Sequence, residues 1–277
     1  MDLSNENIIH IKKNGIEYLQ FKKLLDYQNI INHAYGIGIN RNYRTARANN
    51  QTLENNSYQK AIEDYQTLCQ AIGTKAENLV KPIQNHTDKI EIVTQKINPK
   101  EPDFNLQQYT QTDGLVTKEK NIILTTTNAD CILLLFFDPV QKVIANTHSG
   151  WRGTLQKIGI KTIKKMKNEF QSKPENIICC ICPSIRKCHF EVEKEVKEEF
   201  EKEFQNIDGI IEETIPNKKW KIDTVKINKT LLEKEGLKPE NIIDSGICSV
   251  CHSDQIHSYR AEKQGYGLNA ALIEMKQ

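Results

Sequence analysis

Three short segments hold side chains whose types could do chemistry together: Gln84-Asn85-His86-Thr87-Asp88, Asn128-Ala129-Asp130-Cys131, and Thr147-His148-Ser149-Gly150-Trp151-Arg152-Gly153-Thr154. Each falls at the end of an expected strand, which is where α/β folds place ligands. His148 closes one strand ahead of a turn with two glycines and a helix start. Cys131 opens an apolar strand, and His86 sits in the turn between two short ones. Two imidazoles and a thiolate are a sound ligand set for zinc. With the fourth position left to water, the arrangement is that of catalytic sites and not of closed structural ones. Spacing alone does not bring the three together, and a hydrogen-bonded histidine beside a core cysteine fits the same positions. Asp130, a carboxylate at the mouth of the apolar strand, needs a partner because burying it unpaired is expensive. It fits a general acid/base or a group that orients a ligand histidine. Other common sites are absent from the sequence: there is no GxxxxGKS or GxxxxGKT phosphate loop, no GxSxG elbow and no HExxH helix.

The remaining thiols allow two readings. Cys248 and Cys251 form a CxxC, and Cys179, Cys180, Cys182 and Cys188 crowd one segment. Two CxxC units at matched spacing would mark structural zinc, but only one half is present. A second metal, a redox pair and buried core thiols all stay open, with Cys179, Cys180 and Cys182 expected in a core strand. Copper oxidation is not expected. The histidines stand at 10, 33, 86, 148, 189, 252 and 257, so no two form an H-x-H pair. The methionines, at 1, 166 and 275, include none shortly after Cys131 as an axial copper ligand.

The elements that must position these groups alternate. Strand-like pieces run through residues 1–40, including Ile30 to Ile39. Helical patterns cover Asn56 to Ile72, Thr154 to Phe170 and Thr224 to Lys234, with a last helix from Leu268. The charge run Glu193 to Glu203 carries Val196 and Phe200 at helical spacing and reads as a solvated amphipathic helix. Strands are expected at Leu79–Gln84, Lys89–Thr94, Asn121–Thr127, Cys131–Phe137, Val143–Thr147, Ile177–Cys182 and Asn241–Ile243. Cys131–Phe137 is apolar throughout, as suits a strand buried on both faces. Interleaved strands and helices argue for a layered mixed α/β or α+β fold, and no composition break divides the 277 residues, so one domain over 1–277 is expected. A net charge of +2 with both signs interspersed argues against a nucleic-acid partner. The longest apolar run is far short of the roughly 20 residues that span a bilayer. The first residues, MDLSNENIIH, lack the basic and apolar regions of a signal peptide, so a cytoplasmic location with reduced thiols is expected.

The three segments resemble, in order, the signature blocks of the polyphenol oxidase/laccase-domain family, roughly Q-x-H-x-D, T-A-D-C and A-H-A-G-W-R-G-T. That family includes purine nucleoside phosphorylases and peptidoglycan editing factors. A fourth block, Cys182 to Val192, is similar to G-P-x-I-G-x-C-x-Y-x-V. A fifth, Cys248 to Arg260, is similar to C-T followed by F-S-Y-R. The resemblance implies one zinc bound by His86, Cys131 and His148, a mixed α/β fold, and phosphorolysis of purine nucleosides, with adenosine deamination at the same site. Zinc would lower the pKa of a bound water toward about 7 for attack on a purine carbon. Arg152 and Arg260 are candidates for a phosphate clamp, because a guanidinium fork matches phosphate bidentately. Departures from the pattern are Asn128 for Thr, Leu133 for Pro, and Cys182 and Arg186 for two glycines. The family's N-terminal arginine could correspond to Arg41, Arg44 or Arg47. Two other functions suit the same residues: an amidase editing a cell-wall precursor, with Cys131 as nucleophile and His148 as base, and a zinc protein without catalysis. The oligomeric state is not legible.

Overall fold

Two six-stranded sheets stack face to face, and helices cover both outer faces. The computed structural model of the chain describes residues 1–45, 55–95, 100, 102 and 109–276. In chain order, strands β1 (Ile8–Lys13) and β2 (Ile16–Phe21) precede a short helix α1 (Lys22–Leu25), strand β3 (Ile31–Ile37) and helix α2 (Asn55–Ala71). Strands β4 (Leu79–Val80), β5 (Ile90–Ile92), β6 (Gly114–Thr117), β7 (Ile123–Asn128), β8 (Ile132–Asp138) and β9 (Val143–Ser149) follow. Helices α3 (Trp151–Leu155) and α4 (Ile158–Phe170) lead to strands β10 (Ile178–Ile181) and β11 (Glu191–Val192). The chain ends with helix α5 (Lys194–Glu203), strands β12 (Ile211–Ile215) and β13 (Lys219–Ile222), helix α6 (Thr224–Lys234), strand β14 (Ile242–Asp244), helix α7 (Tyr259–Glu262) and strand β15 (Asn269–Met275).

One sheet runs β1-β2-β3-β15-β7-β4 and the other β14-β10-β8-β9-β6-β5; a third, small sheet runs β11-β13-β12. Between the large sheets lies a core of Phe21, Tyr35, Leu124 and Ile273 from one side and Leu133, Leu135, Phe137 and Ile144 from the other. Alternation along β8 sends Leu134 and Phe136 to the opposite face, against Ile163 and Met166 of α4. α2 covers the first sheet's outer face with Tyr65 and Leu68, and α5 packs Phe200 on Trp220 of the small sheet. β7, β8, β9 and β15 are buried at every residue, as strands covered on both sides must be. Among the buried polar residues, Asn146 links the two sheets. From β9 it bonds Thr126 and donates to the carbonyls of Leu124 at 3.0 Å and Ala271 at 2.8 Å.

The mixed α/β reading holds, two local expectations need correction, and one small sheet was not expected. The segment from Leu268 is not a helix: Asn269–Met275 is the strand between β3 and β7. Its Ala, Leu, Glu and Met favour helices intrinsically, but burial on both faces outweighs that preference. The expected helix Thr154–Phe170 is two helices, because Lys157 adopts a left-handed φ of 57° and breaks the first after Leu155. The small sheet has no counterpart among the expected strands, since β12 carries exposed Glu212 and Glu213 and only short alternating stretches such as Trp220 and Ile222 turn inward.

Candidate metal centre and its cavity

Register brings the three segments to one end of the second sheet. β8 pairs antiparallel with β9 so that Ile132 faces Ser149 and Leu133 faces His148. Cys131, one residue before β8, therefore lies beside the turn that follows β9. β6 pairs with β9 on the other side, with Gly114 opposite Thr147, which sets Asp113 next to His148. β5 runs parallel to β6, and the loop feeding it carries His86. The Nε2 of His86 is 3.8 Å from Cys131 Sγ. The His86 and His148 rings stand 4.9 Å apart at 79°, and one ligand atom from each of the three residues lies within 4.8 Å of the others. Gly150 leaves room for this approach: a Cβ there would sit 2.8 Å from His86 Cδ2 and 3.2 Å from Cys131 Sγ.

Asp113 organises the group, and the sequence did not single it out. Its buried carboxylate accepts the amide N–H groups of Asn85, His86 and Thr87 at 3.1, 3.1 and 2.7 Å. It also accepts the Thr87 hydroxyl at 2.8 Å and His148 Nδ1–H at 2.8 Å. The left-handed φ of 59° at His86 bends three successive amides toward one anion. Burial would raise the Asp113 carboxyl, but its bond to His148, that ring's charge and the Thr87 donors outweigh this and hold it below the usual range. Because a carboxylate only accepts, His148 carries its proton on Nδ1, and Nε2 is left to face Cys131 and a metal. Burial would also raise the Cys131 thiol, yet the charge and bonds of His148, then of His86, bring it down to about 6. Against burial, Cys131 and Asp113 raise His148 to about 10. The lowered Cys131 and raised His148 favour a thiolate beside an imidazolium that Asp113 holds. A divalent cation replacing the imidazolium proton suits the same charges.

Asn128 and Gln84 fix the ligand loops. The Asn128 amide donates to the carbonyls of Cys131 at 2.5 Å and Pro183 at 3.0 Å. Gln84 brackets Thr127 with bonds of 2.8 and 2.9 Å. Asp130 stands apart from both histidines. Its carboxylate accepts from Ser249 Oγ at 2.6 Å, Ser258 Oγ at 2.7 Å and the Arg260 amide at 2.7 Å. The carboxylate that orients His148 is thus Asp113, while Asp130 ties together the loops behind the site.

The triad opens into a cavity of about 650 Å³. Trp151, Phe190, Tyr259 and Tyr266 give it aromatic walls, and Arg44, Lys81 and Arg260 bring cations to it. Lys81 is buried; burial and then the Arg44 charge pull its ammonium down to about 8. Arg44 lies over the Tyr266 ring at 4.4 Å and donates to the Tyr266 carbonyl at 2.9 Å. Arg260 donates to the carbonyls of His189 at 2.9 Å and Glu191 at 3.1 Å. Arg152 is exposed, stacked over Trp151 at 4.0 Å, and is not among the residues lining the cavity. Of the three N-terminal arginines, Arg41 pairs with Asp64 at 2.7 Å, Arg44 reaches the cavity, and Arg47 lies outside the described residues. No helix among the described residues is long and apolar enough to cross a membrane.

Residues 38–276 match the family model described as multi-copper polyphenol oxidoreductase laccase. The chain is 27% identical over 216 residues to a Bacillus subtilis (strain 168) protein named purine nucleoside phosphorylase YlmD, covering 78% of this chain and 77% of that one. It is 28% identical over 194 residues to adenosine deaminase RL5 of an unknown prokaryotic organism, covering 70% of this chain and 74% of that one. The crystal structure of the Bacillus licheniformis hypothetical protein YfiH shares its fold. That match has a TM-score of 0.81 at 23% identity and covers 95% of this chain and all of that one.

Proposed function

The chain belongs to the multi-copper polyphenol oxidoreductase laccase family, and from that premise we propose that it is a cytoplasmic, zinc-dependent purine nucleoside phosphorylase. It cleaves adenosine, inosine or methylthioadenosine with phosphate and deaminates adenosine in the same cavity. One observation carries the reading: a His-Cys-His triad, flat aromatic walls and cations meet in one cavity. The names of the relatives, purine nucleoside phosphorylase and adenosine deaminase, support the substrate class.

The donors suit zinc better than the copper of the family's name. A blue-copper site adds an axial ligand such as Met to His₂Cys, whereas Met166 and Met275 are packed in hydrophobic cores. A trinuclear copper centre needs H-x-H pairs that the chain lacks. His86, Cys131 and His148 would hold the zinc. Bound there, it supplies a Lewis acid that polarises substrate or activates water. The protein's own groups do the rest. Asp113 keeps His148 in the Nδ1–H form. Trp151 and Phe190 offer apolar faces to a planar base, and water is displaced from them as it binds. Lys81 and Arg44 meet the phosphate dianion, whose charge restores the Lys81 ammonium that burial disfavours. Arg260 braces the wall at Glu191. Asp130, already satisfied by three donors, works by positioning Arg260.

Incubation with adenosine and inosine, with and without phosphate, tests the proposal. Free base and ribose phosphate are expected only with phosphate, and inosine from adenosine in either case. Release of neither base nor inosine would remove the assignment. The thiol-nucleophile reading, an amidase built on Cys131 and His148, is favoured by one observation, the lowered thiol pKa. Alkylation separates the two: zinc protects Cys131 until a chelator is added, whereas a catalytic thiolate reacts at once.

A further inference from the structure

Behind the Phe190 wall, outside the triad, four potential ligands converge. Cys188 and His189 come from the turn after β10, and Cys248 and Cys251 from the CxxC turn that precedes α7. Cys188 Sγ lies 3.6 Å from Cys248 Sγ and 4.0 Å from Cys251 Sγ. His189 Nδ1 lies 3.2, 3.6 and 3.5 Å from the sulfurs of Cys188, Cys248 and Cys251. A tetrahedral zinc with bonds of about 2.3 Å to sulfur and about 2.05 Å to nitrogen sets S···S edges near 3.8 Å and S···N edges near 3.6 Å. The observed spacings fall around those values. They are also far beyond a disulfide bond of about 2.05 Å.

We propose that Cys188, His189, Cys248 and Cys251 form a second, closed zinc site of structural type. Four protein ligands fill the tetrahedron, so no position remains for water or substrate. Its task follows from what it joins. The two segments are some 60 residues apart in sequence. Besides this cluster they meet through a bridge between Ser184 and Cys248, the backbone bonds that Ser184 makes with Ile247 and Ser249, and Arg186, which pairs with Asp244 at 2.5 Å and also donates to Ile247 and Ser245. Phe190 and Val192 follow directly from the first pair of ligands, and Tyr259 and Arg260 follow from the second; all four line the cavity. Arg260 spans the two segments by donating to His189 and Glu191. A metal at this point holds the cavity wall in place. The site depends on none of the residues assigned to nucleoside chemistry.

Metal analysis of the full chain, purified under reducing conditions without chelator, tests this. The intact protein is expected to carry about two equivalents of zinc, and C131S about one. C248S/C251S is expected to keep about one, with Cys131 still shielded from iodoacetamide. Because that double variant could misfold, mass-spectrometric alkylation mapping of the unaltered protein is the second readout. Cys188 and Cys251, though exposed, should resist alkylation until a strong chelator is added. Zinc that stops at one equivalent in the intact protein and vanishes in C131S would overturn the site. So would rapid alkylation of Cys188 and Cys251 in zinc-loaded protein, or a Cys248–Cys251 disulfide in reductant. None of these outcomes bears on nucleoside turnover, so the two readings fail separately.

Discussion

At the scale of single residues, Asp113 is the lever on the triad. Its carboxylate holds both the His86 loop and the His148 ring, so Asp113→Asn keeps the shape but removes the charge and lets the tautomer of His148 relax. Partners of metal-ligating histidines typically cost 10–100-fold in metal affinity when removed. A loss of that size is expected by chelator competition, with the far-UV spectrum unchanged; undiminished affinity would show that Asp113 does not orient the ring. Gly150 gives a steric counterpart. Gly150→Ala puts a methyl 2.8 Å from His86 Cδ2, so triad zinc should be lost while the fold persists. Lys81→Ala should raise the KM for phosphate at least tenfold with little change in that for nucleoside, which steady-state kinetics would separate. His86, Cys131 and His148 stood out by type and strand-end position, but only the resemblance to the laccase-domain family joined them into one candidate ligand set, because spacing alone does not. Asp113 and Lys81 did not stand out: an aspartate in a TDG turn and one lysine among many carry no pattern, and their importance comes from burial that only the fold creates. His189 was hidden for a related reason, since its partners Cys248 and Cys251 lie about 60 residues away.

At the scale of elements, legibility tracked periodicity. β8 was readable as a continuous apolar run, and α2, α5 and α6 as amphipathic patterns. β15 was not, because a strand buried on both faces shows no period, and its Ala, Leu and Met then speak for a helix. The small sheet failed in the opposite way, by being too polar. What joins the elements is equally local. Asn146 is buried between the large sheets and satisfies carbonyls on β7 and β15 at once. Asn146→Ala removes both bonds and strands the Thr126 hydroxyl. At about 1–3 kcal/mol per stranded buried group, a loss of roughly 2–4 kcal/mol is expected. Urea unfolding should show it as a lower midpoint at unchanged slope. A shift below half a kcal/mol would mean that the sheets are held by apolar packing alone.

For the whole molecule, the pH dependence of stability follows from how the fold treats its buried ionisable groups. His33 on β3 is enclosed between elements, its Nε2 accepting the Phe21 amide at 2.8 Å. Burial drives its pKa from 6.5 down to about 3. The unfolded chain therefore binds a proton below about pH 6.5 that the folded chain refuses. Its contribution is whole above that pH and declines as pH falls, by about 1.4 kcal/mol per unit until the folded value is reached. Asp113 and Asp244 have lowered pKa values, so their contributions are present above the ordinary carboxylate range and fade only in stronger acid. Acid also strips metal from thiolate and imidazole ligands, which steepens any single curve. A difference curve removes that effect. His33→Gln retains an acceptor for the Phe21 amide but does not titrate in this range. Unfolding free energies of the two proteins, measured by urea at pH 7.5, 6.5, 5.5 and 4.5, should run parallel at the two higher values. They should then converge, or cross, by about one proton's worth of slope below pH 6.5. Curves that stay parallel to pH 4.5 would mean that His33 is protonated in the fold as readily as outside it, so that the closely packed first sheet admits either water or a compensating charge at β3.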